Sequence, residues 1–569
     1  MRDVTATDQT AQTAQTPDRV LDDALKALAE RSYFSRYPES PSPRVYGENA
    51  APEGLSAYEA HLGRPFEGLA GAFDGSSVGD EVSPYGPTLG VAYPHLDVEA
   101  AMQAASAAIP AWRDAGARKR ATVLVEALEA LNERSFEIGN AVHHTSGQPF
   151  VMAFQAGAPQ AQDRGLEAVA AAYAEQARVP ESVTWEKPGK GEPLRMQKDY
   201  RVVPRGVALV VGCNTFPTWN AYPGIFASLA TGNAVVVKPH PRAILPLAMT
   251  VETLQKTLRD NGFDPQLVQL APEADGEGLA KTLAERDEVK IIDYTGGPGF
   301  GGWLEREGAA RGQQVYTEKA GVNTVVVDST DNLKAMLGNL AFSLSLYTGQ
   351  MCTTPQNIYL PKSGIDTDEG HVSFEEFGQK LGGAIGRLTG DDEKAVEILG
   401  ATVNDDVRSR AGSLASIAAD AGGSVVADSR EVTHPKYPDA VVRTPGLVGV
   451  DVAARDAYTT EQFGPVTFLI GTDSTQQSLD TFAETVRRHG AMTASVYSTD
   501  EGVLDAARDA AVDAGVALSE NLLGQVFVNQ TAAFSDYHGT GANPAANSAY
   551  SDSAFVAGRF RVITARRHV

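Results

Sequence analysis

From Val207 onward, short runs of Val, Ile and Leu alternate with longer stretches of helical period. The runs Val207–Gly212, Ala234–Lys238, Leu267–Leu270, Val289–Tyr294 and Thr324–Val327 are rich in Val, Ile and Leu rather than apolar only at every second position. Such strands are buried on both faces, and the helices between most of them supply that cover. The pattern therefore predicts an α/β fold with a mainly parallel sheet. Upstream, helices are expected over Asp97–Asp114, Arg118–His143 and Gln160–Gln176. The second carries Val123, Leu124, Ala127, Leu128 and Leu131 on one face, and Gly147-Gln148-Pro149 breaks the pattern after it. Residues 183–203 have strand character on either side of a Pro-Gly-Lys-Gly turn at 188–191, which reads as a two-stranded arm. The Arg-rich stretch Phe555–Val569 has strand-like patches suited to pair with that arm, within a subunit or across a dimer. Four segments follow: a Thr/Gln/Ala-rich tail at 1–17 expected to be disordered, a unit at 18–317 interrupted by the arm, a second α/β unit at 318–527, and a return at 528–569.

Composition adds limits. The 569 residues are too many for one core, and 43% hydrophobic content is ordinary for a soluble protein. A net charge of −24 argues against nucleic acid or an anionic membrane as partner. The first residues hold no apolar run, and no later stretch reaches membrane-span length, so the chain reads as cytoplasmic. In a reducing compartment its two cysteines, Cys213 and Cys352, are expected as free thiols.

Cys352 lies in Tyr-Thr-Gly-Gln-Met-Cys-Thr-Thr (347–354), after the helix-period stretch Leu337–Leu346. Glu318 stands just past an expected strand, Gln314–Tyr316. A scarce cysteine in a polar motif, with a carboxylate elsewhere, suits a thiolate nucleophile and a general base; a buried structural cysteine is the plain alternative. Asn214, at the carboxyl end of the Val207 strand, has an amide able to donate to an oxyanion, or serves merely in a turn. Lys238 ends the next strand, where it reaches ribose hydroxyls or simply extends to solvent. Gly296, Gly297 and Gly301 fall in a glycine-rich strand-to-helix turn suited to a pyrophosphate, a weak signal on its own. Glu461 and Phe463 sit in Glu-Gln-Phe-Gly-Pro-Val, whose isolated reading is a surface loop. Cys213 precedes Asn214 on the expected strand, so its side chain should face the other way.

Taken together and in order, these motifs resemble the aldehyde dehydrogenase superfamily over roughly residues 90–545. Within it, the N-terminal extension and His538-Gly-Thr-Gly-Ala-Asn-Pro544 resemble the phenylacetic acid degradation branch (PaaN type). There are departures. The family's Pro-Trp-Asn is Gly212-Cys213-Asn214, with Thr215 as an insertion before Phe216-Pro217. Its Glu-Leu-Gly-Gly-Lys is Glu318-Lys-Ala-Gly-Val322, and Gly297 stands where Ser is frequent.

The resemblance implies a Rossmann-type cofactor domain, a catalytic α/β domain from Glu318 and a β-arm for oligomerisation, as homodimer or homotetramer. It implies Cys352 as nucleophile, Asn214 as oxyanion donor and Glu318 as base, with no metal. Glu461 and Phe463 would meet the nicotinamide ribose and ring. The implied substrate is a small aldehyde, in this branch a CoA-linked semialdehyde from aromatic ring cleavage. NAD-preferring relatives carry a glutamate three residues after the strand-end lysine. Here Pro241 occupies that position and Arg242 follows, which favours NADP, with NAD as the alternative. A CoA-acylating enzyme and a catalytically silent scaffold remain as rival readings.

Overall fold

The computed structural model describes residues 15–569. Most of the expected disordered tail, residues 1–14, lies outside the described residues. Its end is structured: Thr16 caps the helix Pro17–Glu30, and Pro17 takes the first turn, where its missing N–H costs nothing. No helix among the described residues is long and apolar enough to cross a membrane.

Two parallel sheets organise the chain, and their strands are numbered here in chain order. The first contains β1 (Val207–Val211), β2 (Ala234–Lys238), β3 (Val268–Leu270), β4 (Val289–Thr295) and β5 (Gln314–Glu318). Their spatial order is β3-β2-β1-β4-β5, every neighbour parallel. All residues of β1, β2 and β3 are buried, as their largely apolar sequences imply, Lys238 and Gln269 included. The order reverses at β1, so a crevice opens beyond the carboxyl ends of β1 and β4, the usual ligand position in such sheets. The strand expected at Gln314–Tyr316 runs on to Glu318, which is thus its final residue rather than the residue after it.

The second sheet contains β6 (Thr324–Val327), β7 (Asn357–Pro361), β8 (Ser424–Ala427), β9 (Gly446–Asp451), β10 (Val466–Thr472), β11 (Ala494–Tyr497) and β12 (Leu518–Glu520), ordered β8-β9-β10-β7-β6-β11-β12. Only β8 is antiparallel. Alternate residues feed different cores: Val326, Tyr359, Phe468 and Ile470 on one face, Val325, Val327, Ile358 and Leu469 on the other.

The expected single helix Arg118–His143 is two, Ala117–Glu133 and Ser135–Ser146, broken at Arg134. The break coincides with an ion network: the Arg134 guanidinium donates to Glu137, Glu252 and Thr253 at 2.6–3.0 Å. Gly147, at φ 76°, ends the second helix as the Gly-Gln-Pro signal implied.

The arm forms as expected, from Ser182–Lys187 and Leu194–Pro204, and Phe560–His568 of the same chain completes it as a third, antiparallel strand. Arg559 anchors that return. Its fully buried guanidinium makes hydrogen bonds of 2.5 and 2.8 Å to Asp293 on β4 and one of 2.7 Å to Ser228 Oγ. Removing one partner of a buried pair leaves an unpaired charge, which typically costs about 3–5 kcal/mol. Arg559→Met should therefore lower the thermal unfolding midpoint, with partial recovery when Asp293→Asn is added. A midpoint within about 1 °C of the parent for Arg559→Met would refute this.

Candidate active site

Cys352 hangs on a loop whose shape the fold imposes. The helix Leu333–Ser345 stops, and Tyr347, Thr348 and Gly349 then take positive φ in succession (52°, 56° and 69°). For Tyr and Thr this region typically costs about 1–3 kcal/mol each, so neighbouring groups must hold them there. They do. The Tyr347 hydroxyl donates to the Ser146 carbonyl, and the Thr348 hydroxyl donates to Gly400 O at 2.8 Å. Gln350 bridges Ala401 O and Val403 N. Beyond the cysteine, the Asn323 amide donates to Cys352 O and Thr354 O at 2.7 and 3.0 Å. The same side chain accepts from Met492 N and Thr493 N, just before β11 of the second sheet.

Glu318 reaches the site from the other sheet, as the end of β5, and is 3% exposed. Its Oε2 accepts from Asn220 Nδ2 at 3.2 Å and from His538 Nε2 at 3.1 Å, while Oε1 has no hydrogen-bond partner among the described residues. Burial opposes its ionisation, but His538, by charge and hydrogen bond, holds the carboxyl below its usual range. Burial, and then the Glu318 carboxylate, push the Cys352 thiol well above its ordinary value. Left with those two influences alone, this thiol would be a poor nucleophile.

His538 comes from the C-terminal return. The segment 543–547 docks on β5, with Lys319 N donating to Ala545 O at 2.6 Å and Asn547 exchanging hydrogen bonds with Thr317. Gly539 and Gly541, at φ 75° and 71°, turn the chain back on itself, a conformation side chains resist. The imidazole is held edge-to-face by Trp219 at 4.6 Å and beside Tyr550 at 5.3 Å, its Nε2 3.8 Å from Cys352 Sγ. In the sequence His538 stands out only as part of a motif, and Asn220 and Tyr550 lie outside the motifs. A histidine between a tyrosine and a glycine turn was the available signal, and nothing local points it at Glu318. The polar side-chain atoms of Glu318, Cys352 and His538 all lie within 4.8 Å of one another.

Two cavities meet at Cys352, Phe216 and Asn220. One, ≈ 650 Å³, lies in the crevice beyond β1 and β4 and is lined by Asn214, Lys238, Gly296, Gly297, Glu461 and Phe463. The other, ≈ 700 Å³, is walled by Trp219, Phe342 and Phe527, with Tyr33 and Phe34 from the N-terminal extension. Most of the sequence-derived cofactor residues thus share one cavity. Gly297 caps the helix Pro298–Arg311, whose first N–H groups lack intrahelical acceptors, as a pyrophosphate needs. A nicotinamide dinucleotide fits this donor set.

Other positions differ from expectation. Gly301 is buried against Lys319 and Tyr294 and does not line the cavity. Pro241 borders it, but Arg242 lies in an adjoining cleft, 3.8 Å from Asp275. Asn214 Nδ2 donates to Thr145 O at 2.9 Å, so one of its amide hydrogens is committed there. Cys213, expected to face away, lines the same cavity as Cys352 and donates to Asn220 Oδ1 at 3.6 Å. The reason is that β1 ends at Val211, so strand alternation does not reach position 213.

Glu461 accepts from Gly321 N at 3.3 Å, and burial pushes its carboxyl up to about 7. The ionised form is the better acceptor for ribose hydroxyls. The KM for the dinucleotide should therefore fall as pH rises from 6 to 8, and Glu461→Gln should flatten that dependence. An equally steep profile in the variant would remove Glu461 from the binding step.

Comparison with known proteins converges on one family. The profile described as the aldehyde dehydrogenase family matches residues 92–541. The crystal structure of an NAD-dependent aldehyde dehydrogenase from Burkholderia multivorans is 54% identical, with a TM-score of 0.94, over 97% of this chain and 98% of that one. An alpha-ketoglutaric semialdehyde dehydrogenase of Bacillus subtilis is 25% identical over 68% of this chain and 74% of its own. An N-succinylglutamate 5-semialdehyde dehydrogenase of Yersinia pestis is 25% identical over 66% and 69%. A Thermus 1-pyrroline-5-carboxylate dehydrogenase shares the fold, with a TM-score of 0.72 at 18% identity over 95% of this chain and 99% of that one. With the match spanning both sheets and the cysteine loop between them, the chain belongs to the aldehyde dehydrogenase family and is a nicotinamide-dependent oxidoreductase.

Proposed function

We propose that the enzyme oxidises a semialdehyde to its carboxylic acid through a covalent Cys352 intermediate, in the cytoplasm. The observation that carries this is the placement of Cys352 where the two cavities meet, with Glu318 beside it. The Cys352 thiolate attacks the carbonyl carbon, forming the S–C bond of a thiohemiacetal. The backbone N–H of Cys352 and the second amide hydrogen of Asn214 are the proposed oxyanion donors. When bound, the nicotinamide supplies the two-electron acceptor for the hydrogen on that carbon. Glu318 then takes a proton from the water that hydrolyses the thioester, and Cys352 leaves as thiolate. Lys238, Gly296 and Gly297 hold the nucleotide half of the cofactor, and Glu461 and Phe463 the nicotinamide half. With Glu318 in place, water rather than CoA resolves the thioester, so acid forms without added CoA.

For the cofactor we favour NAD. The NADP expectation rested on the missing carboxylate at Pro241 and on Arg242. Folding brings Glu273, from beyond β3, against Lys238 Nζ inside the cavity, and Asp275 to Arg242. A carboxylate beside Lys238 suits ribose hydroxyls and repels a 2′-phosphate carrying about −1.5 to −2 charge. The Burkholderia relative's description as NAD-dependent agrees. Steady-state kinetics with both cofactors test this: kcat/KM should favour NAD, and Glu273→Gln should narrow the gap. A parent enzyme about tenfold better with NADP would reverse the assignment.

For the substrate we propose a CoA-linked semialdehyde of phenylacetate ring cleavage, supported by the branch resemblance, the aromatic cavity and the semialdehyde relatives. The test is kcat/KM for that compound against simple aliphatic and aromatic aldehydes; a free aldehyde turned over equally well would sink it. The arm leaves Val183, Leu194 and Ile563 exposed, which supports a homodimer or homotetramer, read directly by sedimentation.

A further inference from the structure

His538 sits between the two charged groups of the reaction. One ring nitrogen, Nε2, faces both Glu318 Oε2 at 3.1 Å and Cys352 Sγ at 3.8 Å. A neutral imidazole cannot serve both through that nitrogen. With its hydrogen on Nδ1, Nε2 can accept from the thiol, but its lone pair then confronts a carboxylate oxygen. With a hydrogen on Nε2, it donates to Glu318. Adding a proton to Nε2 removes the repulsion, so Glu318 draws the thiol proton onto the ring. The side chain is 3% exposed and wedged between Trp219 and Tyr550, so it cannot swing away to solvent.

We propose that His538 is a catalytic residue: its Nε2 takes the proton of the Cys352 thiol, and the imidazolium so formed stands between thiolate and Glu318 carboxylate. This rests on Cys352 being the nucleophile. The S–H bond breaks, an N–H bond forms at Nε2, and the sulfur keeps the electron pair that then makes the S–C bond. After hydrolysis the leaving thiolate takes that proton back from Nε2, and the proton that Glu318 took from water is the one that oxidation of an aldehyde to its carboxylic acid by a nicotinamide cofactor releases. The arrangement answers the electrostatic problem of this pocket. Burial and Glu318 both oppose a thiolate, and a cation between the two removes the opposition without removing the base.

Glu318, Cys352 and Tyr550 are the titratable groups facing the ring, and Cys213 and Glu461 act on Cys352 from further off. The experiment therefore compares the parent, His538→Gln and His538→Ala, each with and without Glu318→Gln. The readouts are iodoacetamide alkylation of Cys352, followed by mass spectrometry across pH, and the pre-steady-state burst of reduced cofactor. In His538→Gln the alkylation profile should move to higher pH by about one unit or more. The burst rate should drop about 10²–10⁴-fold, with cofactor binding retained. Added imidazole should restore part of the burst in His538→Ala. An unshifted alkylation profile with a burst within about threefold of the parent would overturn the proposal and leave His538 a packing residue. Failure of the nucleophile assignment is distinguishable, since parent enzyme alkylated at Cys352 would then still turn over.

Discussion

Cys352→Ala should abolish turnover, lowering kcat by roughly 10⁴-fold or more, because among the described residues no other nucleophile stands at the junction of the two cavities. Binding of the dinucleotide should persist, since Lys238 and the glycine turn are untouched. Cys213→Ser is the informative control. The structure places Cys213 in the same cavity, which makes the comparison sharper than a remote thiol would. Its contact is a weak hydrogen bond to Asn220, which a serine hydroxyl can replace, so most activity should survive. Equal losses in both variants would overturn the assignment of Cys352.

Glu318→Gln should separate the two halves of the reaction. The thioester should still form, giving a burst of reduced cofactor of about one equivalent, slower than the parent's because Glu318 no longer draws the thiol proton to His538, followed by acid release slowed about 10²–10⁴-fold, the usual worth of a general base. The amide retains an oxygen to accept from Asn220 and a geometry close to the acid, so the pocket should keep its shape. Loss of the burst itself would show that Glu318 acts before the thioester, on Cys352 directly.

The strands of the first sheet were legible to within a residue or two because short Val/Ile/Leu-rich runs alternate there with helical stretches. The crevice followed from them, since Asn214, Lys238 and the glycine turn sit just at or beyond strand ends that the topology gathers together. Three things were not legible. The helix break at Arg134 depends on Glu252 and Thr253, which no local periodicity reveals. The direction of Asn214 depends on the Thr145 carbonyl, a partner in the helix Ser135–Ser146. His538 meets Glu318 across 220 positions, and only the turn of its glycines and the docking of Asn547 on β5 bring it there.

That separation orders events in time. At about 5–20 residues per second of synthesis, His538 leaves the ribosome roughly ten to forty seconds after Glu318. The groups that hold the nucleophile loop through Tyr347, Thr348, Gln350 and Asn323, the last of them Thr493, all emerge before the imidazole, Tyr550 and the Arg559 anchor. A nascent chain would thus carry its thiol in the protonated, less oxidisable form until the return segment docks. Arming of the cysteine would coincide with completion of the fold, protecting the growing polypeptide from its own reactivity.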